Sequence, residues 1–120
     1  MEESILTSIK KMLGPEEDYE HFDHDIITHI NTALATLTEL GVGPEAGFSI
    51  TDKTAVWSDF ISSDKLLNLV PTYVYLKVKL AFDPPTVAAV LDSMERQASQ
   101  YEWRINVAAE RKNWGKTSGD

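Results

Sequence analysis

Seven apolar residues in the C-terminal third, Val87, Leu91, Met94, Ala98, Tyr101, Ile105 and Ala108, follow one another in alternating steps of four and three. Only a helix brings such positions onto one side. The pattern predicts a helix over 86–112, about 40 Å long at roughly 1.5 Å per residue. That is longer than a domain of 120 residues is wide, so part of it should project. The stripe covers only about three heptads, includes the small Ala98 and Ala108, and lacks systematic charge pairs beside it. It is therefore read as the face by which the last helix packs on its own domain. Trp103 and Val107 fall on a second face, left for neighbours.

The rest of the chain reads as shorter helices. Residues 2–13 carry Ile5, Leu6, Ile9, Met12 and Leu13 at helical spacing, stopped by Gly14-Pro15. A second helix runs from an Asp23 cap through Ile26, Ile30, Leu34 and Leu37, and Gly41 is placed as its left-handed cap. Residues 41–55 read as a loop, pinned by a short helical turn at Trp57, Phe60 and Ile61. Residues 64–82 are ambiguous: Tyr73 to Leu80 alternates like a strand, and Pro71 removes a helical hydrogen bond. No second strand offers a partner, so a helix starting or bending near Pro71 is preferred. Asp83-Pro84-Pro85-Thr86 stops this helix, with Asp83 or Thr86 as the cap of the next. The fold expected is all-α, a small bundle of four to five helices with a long C-terminal helix. One domain spans 1–112, and 113–120 forms a tail that is flexible or ordered by a partner.

Composition excludes several functions. With no cysteine there is no disulfide and no thiolate site. Glu2 and Glu3 replace the basic start of a signal peptide, and no apolar run is long enough for a membrane span, so no leader and no membrane association are expected. The net charge is −8, and residues 1–25 hold eight acids against Lys10 and Lys11. Tight binding to DNA phosphates is disfavoured by that balance.

No constellation supports catalysis. His21, Asp23, His24, Asp25 and His29 include i,i+4 pairs, the only grouping suggestive of a metal-dependent hydrolase, but capping already accounts for Asp23. Gly41, Gly43 and Gly47 lack the Lys-Ser/Thr of a phosphate-binding loop. Neither enzyme activity nor a cofactor is expected. Tyr73, Tyr75, Tyr101, Trp103 and Trp114 lack the basic groove that would make them stacking platforms for nucleic acid.

Three segments carry a likeness to a known family: DHDIITHINTALATLTELGVGPEAGFSI (23–50), WSDFI (57–61) and TYVYLKVKLAFDPPTVAAVLDSMERQASQYEWRINVAAE (72–110). The chain resembles the head–tail connector, or head-completion, proteins of long-tailed bacteriophages, in the variant found in phages of Gram-positive hosts. The resemblance implies a non-enzymatic helical protein at the virion neck, made in the host bacterial cytoplasm. It implies a homo-oligomeric ring of about twelve copies beneath the portal protein, docking the next neck or tail protein. Genomic DNA would pass through the channel without specific binding. Pro71 departs from the helix-friendly residue expected there.

The likeness directs attention to two sets of residues. Trp103, Val107, Arg111, Lys112 and Trp114 are candidates for portal or neighbour contacts. Pro44, Phe48, Ile50 and Lys53, in the 41–55 loop, are candidates for the channel or the next ring. An acidic N-terminal quarter facing the lumen would repel DNA phosphates and let the genome slide; a ring with 1–25 on its outer rim would refute that. The alternative role is a small helical regulatory module that dimerises through the stripe.

Overall fold

In the computed structural model, residues 4–14, 22–61 and 64–118 are described; for Asp64 and 110–118 the description covers the backbone alone. The elements are α1 (Ile5–Leu13), α2 (Asp23–Glu39), α3 (Trp57–Phe60), α4 (Asp64–Phe82) and α5 (Ala88–Ser118). Among the described residues there is no strand, only an isolated bridge between Ser4 and Val56. The all-α bundle expected from the sequence is what forms.

Helix α4 occupies the centre and touches α1, α2 and α5. Leu66, Val70, Val74 and Val78 recur every four residues and are buried, with Tyr73 beside them. The strand-like alternation of 73–80 therefore yields to helical spacing. A helix satisfies its own backbone groups, whereas a lone strand leaves them without partners. Helix α4 also runs unbroken through Pro71. A proline costs about 3 kcal/mol in a helix interior, and burial of Val70, Tyr73 and Val74 around it offsets that, at about 1.5–3 kcal/mol for each large apolar side chain.

Local chemistry sets the ends of the other helices. Ser4 caps α1, its hydroxyl accepting from the Thr7 amide at 2.9 Å, and Gly14 closes it. Helix α2 ends in a Schellman motif: the Gly41 amide donates to Thr38 O at 3.0 Å and the Val42 amide to Leu37 O at 2.9 Å. Gly41 has φ 91°, as predicted for a left-handed cap, and Val42 and Leu37 meet in the core.

Two caps differ from expectation. Asp23 is the first residue of α2 rather than its cap; Phe22 holds the cap position without a side-chain hydrogen bond. The Asp23 carboxylate is engaged elsewhere, with Oδ1 2.8 Å from the Nζ of the buried Lys10. Before α5, Val87 O accepts the first helical bond, from the Leu91 amide, so neither Asp83 nor Thr86 caps that helix. Asp83 instead ends α4, its amide bonded to Lys79 O and its carboxylate 2.8 Å from Lys79 Nζ.

The long segment between α2 and α3 is tied down. Asn31 on α2 grips Ile50 with both ends of its amide: Nδ2 donates to Ile50 O at 3.0 Å, and the Ile50 amide donates to Oδ1 at 2.7 Å. The Ile5 amide donates to Ala55 O, and Trp57 Nε1 to Ser8 Oγ, each at 2.9 Å. Gly43 passes so close to Phe60 that a Cβ there would meet the ring at 2.4 Å.

Two consequences can be measured by urea denaturation. Asp23→Ala strands a buried lysine and is expected to cost about 3 kcal/mol, whereas Lys10→Met, which keeps the packing and removes the charge, should cost much less. Burial, with the nearby Glu102 carboxylate in second place, pushes the Tyr73 hydroxyl up to about 12, and the hydroxyl has no hydrogen-bond partner among the described residues. The unfolded phenol ionises near its ordinary value of 10, so stability is intact below pH 10 and lost as pH rises from there toward 12. Tyr73→Phe should remove that part of the alkaline loss at little cost at pH 7.

Candidate interaction surface

Helix α5 is held mainly by α4, against which it runs antiparallel. Ala98, Ile105 and Ala109 are buried and Tyr101 and Ala108 pack on the core, so the predicted stripe is the packing face along much of its length. It fails at its start: Val87 is 59% exposed and precedes the helix. The reason is lateral cover: α4 ends at Phe82, and nothing in the 83–87 turn overlies Val87.

At 31 residues α5 is roughly 46 Å long, against about 28 Å for the 19 residues of α4. Its C-terminal turns therefore overrun the start of α4 by about 18 Å. The backbone of Arg111, Lys112 and Trp114 belongs to that overrun, which continues the helix to Ser118, past the end near residue 112 expected from the sequence. The side chains of these three lie outside the described residues.

The remaining candidates on α5 come together. Trp103 is 67% exposed and Val107 lies one turn on, half-buried. With Leu69 and Asn68 of α4 they line a shallow groove of about 380 Å³, rimmed by Lys65 and Arg104. The Arg104 guanidinium also sits over the Tyr101 ring, 5.6 Å from its centroid. Lys65 escaped the sequence reading, because only the α4–α5 hairpin register brings it beside Trp103.

The loop candidates separate. Pro44 and Lys53 are exposed. Lys53 sits in a turn where the Asp52 carboxylate accepts from the Thr54 hydroxyl and amide, bonds that hold its pKa below the ordinary value. Phe48 is half-buried, with its ring 5.3 Å from that of Phe60. Ile50 is a core residue, 3% exposed, with its backbone held by Asn31. Its side chain faces inward, so of the loop set Pro44 and Lys53 carry the accessible surface.

The histidine-rich start of α2 is likewise dispersed. Asp23 pairs with Lys10, and His29 packs against Phe82 at 6.3 Å. His24 and Asp25 are exposed, and His21 lies outside the described residues. Among the described residues no group of three potential ligands is gathered.

Residues 5–112 match the family model described as phage connector protein. The chain belongs to the phage connector family. No curated protein and no solved structure matches the connector. The match covers all five helices, ending within the overrun of α5.

Trp103 and Ile105 sit two residues apart on opposite sides of α5, so paired substitutions separate surface from core. Trp103→Ala should change the stability of the connector by no more than about 0.5 kcal/mol, whereas Ile105→Ala should cost roughly 3 kcal/mol. Chemical denaturation of the two variants measures both.

Proposed function

We propose that this connector is a structural protein of the virion neck that assembles as a homo-oligomeric ring, about twelve copies in a closed cycle. In this reading the ring sits beneath the portal, extends the DNA channel and receives the next neck or tail protein. The observation that carries it is the division of α5: one face is taken up by α4, and the other presents Trp103, 67% exposed. An exposed tryptophan with Val107 one turn on is the kind of residue that anchors protein contacts, and the overrun of α5 carries more of the helix past the start of α4.

A second feature supports the same reading. The net charge of −8 suits a wall past which DNA moves without holding. Portal or neighbour contact is assigned to the Trp103–Val107 face and the α5 overrun. Contact with the channel or next ring is assigned to Pro44 and Lys53.

Native mass spectrometry of the connector, alone and mixed with its portal protein, tests this. A ring-sized mass under either condition is expected, and Trp103→Ala combined with Val107→Asp should abolish it while leaving the helical circular dichroism intact. A dimer indifferent to portal would overturn the proposal in favour of a dimerising regulatory module.

A further inference from the structure

The groove between α4 and α5 is chemically one-sided. Its apolar lining comes from Leu69, Trp103 and Val107, and the charged residues described at its rim, Lys65 and Arg104, are cations. Among the described residues that line it there is no carboxylate, in a chain of net charge −8. Among the described residues neither cation has a carboxylate partner. Two exposed cations beside an exposed indole suit an acidic segment that carries an aromatic ring.

The chain contains such a segment: Glu16, Glu17, Asp18, Tyr19 and Glu20. It is joined to Gly14 on one side and Phe22 on the other. The Phe22 ring lies 5.4 Å from that of Phe82, at the far end of α4. The Lys10–Asp23 pair holds the last turn of α1 beside the start of α2. From Phe82 back to Lys65 along α4 is about 25 Å, at 1.5 Å per residue. The groove lies toward the opposite end of α4 from Phe22, which favours docking on a second copy over docking on the segment's own chain.

We propose that the acidic segment 15–21 of one copy docks in the α4–α5 groove of the next, its carboxylates on Lys65 and Arg104 and Tyr19 against Trp103. Every copy then gives one contact and receives one, a head-to-tail arrangement that forms a ring when the rotation between copies closes. The proposal rests on the ring reading above. It also gives these acids a destination other than the channel wall.

The absence of cysteine makes the test direct. A Glu17→Cys chain and an Asn68→Cys chain are prepared separately, mixed in equal amounts and oxidised, with native mass spectrometry in parallel, alone and with portal. A reducible mixed dimer is expected, absent from either chain alone. Adding Lys65→Glu and Arg104→Glu to the Asn68→Cys chain should slow cross-linking about tenfold, and Glu16→Lys with Asp18→Lys on the partner should restore most of the rate. The melting temperature of each variant shows that it is folded. Ring-sized masses without a mixed dimer overturn the docking and leave the ring. Absence of both a ring and a mixed dimer overturns both proposals. Cross-linking that ignores the charge reversals overturns the role of Lys65 and Arg104.

Discussion

Helix α4 is apolar on more sides than one neighbour can cover. Leu66, Val70, Tyr73, Val74 and Val78 are buried together, and Leu76, on a different side, is buried too. Cover comes from α1, α2 and α5 at once, and each of those helices then has an outer face left over. That constraint explains why a proline is tolerated at Pro71 and why the loop after α2 is pinned. It also explains why α5, held mainly by α4, has room for a second surface. In a small chain with one core, burying the central helix so thoroughly leaves little apolar material to close the outside of α5.

What the sequence revealed followed from periodicity and from chain-local chemistry. The α5 stripe, the α2 stripe and the Gly41 cap depend on residues within a few positions of one another, and all three were legible. The misread caps at Asp23 and before α5 share a cause: a side chain able to cap locally found a better partner. Asp23 turned to Lys10, thirteen residues earlier, and Asp83 to Lys79. Asn31 left no trace in the sequence, because its partner is the backbone of a loop nineteen residues away. Ile50 drew attention as an apolar residue in a polar loop; that same isolation is what sends it into the core.

The surface site was partly legible. Trp103 and Val107 were recognisable because they fall off a stripe whose own role was clear. The cationic rim was not, because Lys65 and Arg104 are far apart in sequence and meet only through the hairpin register. Charge counted by segment pointed to an acidic N-terminal quarter; only the fold brings Lys65 and Arg104 onto one groove. The groove belongs to the packing of two helices rather than to either alone.

The two-ended grip of Asn31 on Ile50 reproduces, with one side chain, the pair of bonds that a neighbouring strand would supply. A loop held this way is anchored at its waist by a backbone amide and carbonyl, which every residue type except proline provides in full. The exposed residues of the loop, Pro44 to Ala46 and Thr51 to Lys53, can then drift in evolution without loosening the bundle, whereas Val42, Gly43 and Phe48 stay packed on it. Descendants of this chain could change the tip around Pro44 and Lys53 while inheriting the core unaltered.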